Sequence, residues 1–207
     1  MGLDYLVQHV WLAVGVWAIL YVSDYALTLV GARLAKAAEK HMVSEQGYEL
    51  TPEFRQDVAV PRIISPLLVG TLLLSCVFLA GFGWISVAVK GFVYFEVVLG
   101  AFLLLEVVVH ERHFRNIARL AHMRTSKGIK GRITFSHWLS LRLSSVELVV
   151  SAVVFLAFFA LSGRWFFAGG ALACLACANR HWRLSRKETR ELPGAEQPSA
   201  DGMGADA

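Results

Sequence analysis

Four stretches of this chain stay apolar for the length of a membrane crossing, and this restricts the fold more than any other feature. Leu6–Gly31, Ile63–Val89, Gly91–Val109 and Leu143–Gly163 each reach the roughly 18 predominantly apolar residues that carry a helix through a hydrocarbon core about 30 Å thick. Inside lipid every backbone N–H and C=O must be satisfied within the protein, and single runs of this length achieve that as helices. A fifth block, Trp165–Ala178, is shorter and lies between Arg164 and Arg180. It spans if both arginines snorkel and the bilayer thins slightly. The expectation is an all-α polytopic bundle of about five transmembrane helices. It forms one domain over residues 1–187, with cytoplasmic loops at 33–62 and 111–142. Hydrophobic residues make up 56% of the chain, above the roughly 45–50% of soluble domains.

The first block is read as a retained helix. It has Asp4 where a signal peptide carries Lys or Arg, and it exceeds the usual h-region of about 7–15 residues. Cys76, Cys174 and Cys177 all lie in apolar blocks and read as small packing residues. Cys174 and Cys177 form C-x-x-C, but no second pair accompanies them.

Charge sets the expected orientation. Eighteen of the twenty Lys and Arg fall in three segments, after the first, third and fifth helices, and only Lys90 and Arg164 fall in the alternate loops. By the positive-inside rule the amino terminus is then outside and the carboxyl terminus cytoplasmic. The alternation requires an odd number of spans. The basic loops suit anionic lipid headgroups or a cytoplasmic protein. Nucleic-acid binding is not expected, since no recognition motif or aromatic interleaving accompanies the charge.

Local signals mark the boundaries. Thr51-Pro52-Glu53 reads as a cap, a proline at N1 and an early acid, predicting a short cytoplasmic helix to about Val58. Ser65-Pro66 repeats the device at the start of the second span. The third continues past the membrane as HFRNIARLAHMR, with Phe114, Ile117, Ala118 and Ala121 on an apolar side. SKGIKGRITFS breaks it, Ser136 can cap the fourth span, and Trp138 sits at interface height. Ser162-Gly163-Arg164 permits only a tight turn, so the last two spans form a hairpin. The tail 188–207 is polar and Pro/Gly-containing and is expected to be disordered. Gly169, Ala173 and Cys177 lie four apart, as do Gly170, Cys174 and Ala178. Such small-residue spacing lets helices approach closely. Packing within the monomer against the fourth span is the first reading and an oligomer interface through the Gly169/Ala173 face the second.

Ionisable groups inside a bilayer cost a few kcal/mol or more, so each needs a partner or a purpose. Asp24, Glu96, Glu106 and Glu147 are the four. At about 1.5 Å rise per residue, Asp24 lies roughly 7 Å to the cytoplasmic side of its helix centre, and Glu106 and Glu147 roughly 9 Å. Glu96 is alone in the outer half. Thr28 follows Asp24 at i+4. Glu106, His110 and His113 share a face, as do Ser140, Ser144, Glu147 and Ser151. If these faces point inward, Asp24, Thr28, Glu106, His110, His113, Ser144 and Glu147 form a polar layer open to the cytoplasm. Two readings stay open. One is a site, in which carboxylates and imidazoles relay protons or hold a divalent metal, with Glu106, His110 and His113 as its ligands. The other is that Asp24 and Glu106 neutralise Arg or His of a neighbouring helix while His110 and His113 mark the water boundary. His110-Glu111-Arg112-His113 lacks the H-E-x-x-H spacing of zinc proteases.

DYALT in the first helix, followed after a loop by GYELTP, resembles a pattern in small bacterial polytopic membrane proteins, in which a D-x-x-x-T helix precedes an acidic E-x-N-P turn. Asp24, Thr28, Glu49 and Pro52 fit. Thr51 stands where Asn is found, and the intervening loop is longer. The resemblance covers about the first third of the chain. It implies no activity, only that Asp24, Thr28 and Glu49 act together. With no G-x-S-x-G elbow, P-loop or dinucleotide turn in the sequence, the expected role is a non-enzymatic accessory or assembly component of the bacterial cytoplasmic membrane, without a cofactor. The alternative is a small transporter or metal-dependent membrane enzyme built on the carboxylate–histidine layer.

Overall fold

The structure is a computed structural model, and it describes residues 2–37, 42–44, 62, 64–125 and 133–191. Among these residues six helices and two short strands follow in the order α1 (Leu3–Gln8), α2 (Val10–Ala37), β1 (Met42–Ser44), α3 (Pro66–Ala88), α4 (Phe92–Thr125), β2 (Ile133–Phe135), α5 (His137–Ser162) and α6 (Trp165–Glu191). Among the described residues α2, α3, α4 and α5 are long and apolar enough to cross a membrane. Four such helices fit a multi-pass membrane protein. Helix α6 is as long, but from Arg180 onward it is charged.

The first apolar run is two helices. His9 leaves helical geometry (φ −110°, ψ 79°) and closes α1. Its Nδ1 lies 2.9 Å from the Tyr5 carbonyl, and its ring stacks on Tyr5. The Ser65-Pro66 start of α3 is as expected: the Ser65 hydroxyl accepts from the Leu68 amide at 3.3 Å. Ser136 stands at the N-cap of α5 with extended backbone, but its side chain makes no capping bond. Gly163 ends α5 in the left-handed conformation (φ 67°), where glycine carries no Cβ penalty. That turn makes α5 and α6 a hairpin. Helix α4 extends well past the third apolar run, and α6 continues four residues beyond the expected domain boundary at 187. The short helix expected near Thr51–Val58, Glu49, and most of the tail lie outside the described residues.

Sequence periodicity gave no sign of β1 and β2. They pair in parallel, Met42 with Ile133 through Ser44 with Phe135, and so tie the segment after α2 to the segment after α4. A parallel pair needs a long crossover, which α3 and α4 supply.

Helix α5 packs on α6, α6 on α4 and α4 on α2, and α3 packs on both α2 and α4. One core lies among α1, α2, α3 and α4, around Ala13, Trp17, Leu79, Phe95 and Leu99. The Trp17 indole donates to Ser75 Oγ at 2.8 Å and meets the Phe102 ring edge-on. A second lies between α5 and α6, around Leu148, Ala152, Ala171, Cys174 and Ala178. The three thiols are free.

The small residues of α6 serve two neighbours. Cys174 and Ala178 face α5, as expected. Gly169 faces α4: a Cβ there would lie 2.7 Å from the Val97 carbonyl carbon and overlap its oxygen. Gly100 reciprocates, since a Cβ on it would overlap the Phe166 carbonyl oxygen. The backbones of α4 and α6 therefore touch at both glycines. Gly169 is covered within the monomer, so the expected oligomer surface at Gly169 and Ala173 is already occupied at its glycine.

Candidate carboxylate–histidine site

The polar residues of α2 and α4 meet, whereas those of α5 go elsewhere. Asp24 and Thr28 stand one turn apart on α2. Glu106, His110 and His113 stand on the facing stripe of α4, where the i, i+4, i+7 spacing aligns them. One ligand atom each from Asp24, Glu106 and His110 falls within 4.8 Å of the others. Glu106, His113 and Thr28 are buried.

Hydrogen-bond partners define the state of each group. His110 Nδ1 lies 2.8 Å from the Glu106 carbonyl oxygen, which can only accept, so Nδ1 carries a proton. Its Nε2 lies 2.7 Å from Ser23 Oγ. Ser23 also lies 2.8 Å from the Leu20 carbonyl and has one proton to donate. When that proton goes to Leu20, Nε2 is left either protonated toward Ser23 or with an uncommitted lone pair. His113 Nε2 lies 2.9 Å from Asp24 Oδ1 and 3.2 Å from Thr28 Oγ1. The hydrogen bond is the one to Thr28. Asp24 Oδ1 keeps only an electrostatic contact. Asp24 Oδ1, Glu106 Oε2 and His113 Nδ1 are buried with no hydrogen-bond partner among the described residues. The Glu106 side chain is 10% exposed, and its Oε2 lies 3.8 Å from His110 Nδ1. Two carboxylates this close in a low dielectric need compensating positive charge, from protons or a cation.

Glu147 and Ser144 do not join this cluster, contrary to the expected single layer. Glu147 Oε1 is taken by Arg115, which also reaches Glu111 at 3.6 Å. Arg115 and Glu147 stand at the same level of α4 and α5, and the guanidinium neutralises the carboxylate before it can reach α2. Ser144 accepts from Arg112. It also lies 2.9 Å from His181 Nδ1 on α6. Ser140 and Ser151 bond to carbonyls four residues back, the usual behaviour of serine in a membrane helix.

Glu96 has a partner that depth alone did not reveal. Arg164 Nε binds it at 2.6 Å, and Arg164 Nη1 binds Asp4 at 2.8 Å. Arg164, the one cation of the α5–α6 turn, closes over the amino-terminal end of α4. Ser23, Arg112, Arg115 and His181 are further site neighbours that the sequence reading missed. Ser23 adjoins Asp24, and the two arginines lie among the histidines of α4. Their proximity in sequence was the available signal. His181 carried none.

No protein-family model, curated protein or solved structure matches the chain.

Proposed function

We propose that this chain is a multi-pass membrane protein that binds a divalent cation in competition with protons at Asp24, Glu106 and His110, in the manner of a small transporter. One observation carries the reading. Among the described residues Glu106 Oε2 and Asp24 Oδ1 are buried without hydrogen-bond partners, within reach of each other and of a histidine. Two carboxylates and an imidazole suit a divalent transition-metal ion such as Zn2+ or Mn2+. His113, itself bonded to Thr28, stands against Asp24 in the outer shell. Two protons balance the same two carboxylates, so cation entry displaces protons. Charge alternation supports five spans with the amino terminus outside, α6 being the fifth, and places the site toward the cytoplasm. The bacterial cytoplasmic membrane is the setting that the DYALT–GYELTP resemblance favours.

A second reading is an accessory or assembly component. It is favoured by the basic residues after α2 and by those in and just after the carboxyl-terminal parts of α4 and α6, and by the β1–β2 pair that joins the segments after α2 and α4.

The test is elemental analysis of purified protein dialysed against Zn2+ or Mn2+ and then against metal-free buffer. The proposal expects one metal per chain, lost in Glu106→Gln and in His110→Ala. Parent protein without metal, or variants that retain it, would rule the site out.

A further inference from the structure

We infer that Arg142, held between Trp138 and Trp182, is a binding site for the phosphate of an anionic phospholipid in the cytoplasmic leaflet. The guanidinium carbon lies 5.4 Å from the Trp138 ring centroid and 5.2 Å from that of Trp182. Both distances are within cation–π range. Trp138 precedes Arg142 by one turn of α5, and Trp182 comes from α6, so the hairpin itself builds the clamp. Arg142 Nε donates to the fully buried Ser185 at 3.3 Å, which fixes the rotamer.

What the clamp holds has no anion. Of the acidic side chains described on α5 and α6, Glu147 is taken by Arg115 and Glu188 lies 2.7 Å from His137. The two terminal nitrogens of Arg142 and both indole N–H groups therefore have no hydrogen-bond acceptor among the described residues. Ordinary interior design pairs such a guanidinium with a carboxylate. Here the planar fork is pre-positioned for two oxygens of one phosphate.

The surroundings select a lipid over a soluble anion. Tryptophans at this position mark the headgroup region. Trp182 is exposed, and directly membraneward of Arg142 the α5 surface exposes Leu143, Val146 and Val150, an apolar track for an acyl chain. By the charge alternation this end of the hairpin is cytoplasmic, the leaflet whose anionic lipids attract basic groups. The inference does not depend on the carboxylate–histidine site, which lies on α2 and α4.

The experiment is a thermal melt of the full chain in neutral detergent with added dioleoylphosphatidylglycerol, dioleoylphosphatidylcholine or inorganic phosphate, paired with native mass spectrometry of retained lipid. The parent is expected to gain several degrees with phosphatidylglycerol and to retain it through ionisation, with little gain from the other two. Arg142→Ala should lose at least half of the gain and the retained lipid. Trp182→Leu keeps the charge and opens the clamp, and should lose a comparable share. If the alanine variant does not fold, Arg142→Lys, which keeps the charge without the planar fork, is expected to show the same loss. An equal shift in parent and Arg142 variants would overturn the inference, as would an equal shift from inorganic phosphate.

Discussion

Replacing Gly169 with alanine forces a methyl group into the backbone of α4. The added carbon would sit 2.7 Å from the Val97 carbonyl carbon and 3.0 Å from the Ala101 nitrogen, against about 3.5–4.0 Å for relaxed contact. No side chain can turn aside, because both obstacles are main chain, so α6 must retreat from α4 by about 1 Å. Overpacking of this kind costs about 1–3 kcal/mol, and the better helix propensity of alanine returns up to about 1 kcal/mol. A net loss of about 1–2 kcal/mol is expected. Gly100→Ala meets the Phe166 carbonyl from the opposite side and should cost the same. The double variant should cost less than the sum by about 0.5–1 kcal/mol, because the second methyl enters a gap already opened. Gly81→Ala is the control, since a Cβ there meets nothing within 4 Å. Reversible unfolding in mixed micelles reads out all four. A Gly169→Ala variant as stable as the parent, or strict additivity with Gly100→Ala, would refute the backbone contact.

Arg164→Ala should strand the buried Glu96 carboxylate. It should cost about 3 kcal/mol, the low end for a broken buried pair because Arg164 is itself 33% exposed; the double variant Glu96→Gln, Arg164→Gln should unfold later in the same micelles than Arg164→Ala alone. A reporter fused after Lys187 should be cytoplasmic and one inserted near Lys90 external, and reporters on a common side would remove the fifth span.

How far the sequence could be read follows from what each signal depends on. Lipid crossing depends on composition over a window, so the spans at α3, α4 and α5 were legible, as were the Ser65-Pro66 start and the Gly163 turn. Spacing along one helix placed Glu106, His110 and His113 on one face, and equal depth put Asp24 beside them. Depth cannot say which helices are neighbours. Glu147 lies at the right level but on α5, which packs mainly on α6, and Arg115 intercepts it. The partner of Glu96 was hidden for the same reason, because Arg164 is far away in sequence and adjacent only once the hairpin folds. Gly169 carried a small-residue signal without a direction, and two neighbours of α6 compete for that face. The β1–β2 pair rests on three residues from each strand, too few for any periodicity.

The most direct measurement is a calorimetric titration of Zn2+ or Mn2+ into parent, Asp24→Asn, Glu106→Gln and Glu147→Gln proteins at two pH values near neutrality. The convergent site predicts stoichiometric binding by the parent, weaker at the lower pH because protons compete. Each carboxylate lost from the Asp24–Glu106 cluster should weaken binding at least about tenfold, equivalent to about 1.4 kcal/mol. Glu147→Gln, whose carboxylate belongs to Arg115, should bind like the parent. No binding by the parent, or equal losses in all three variants, would contradict a cation site built by α2 and α4.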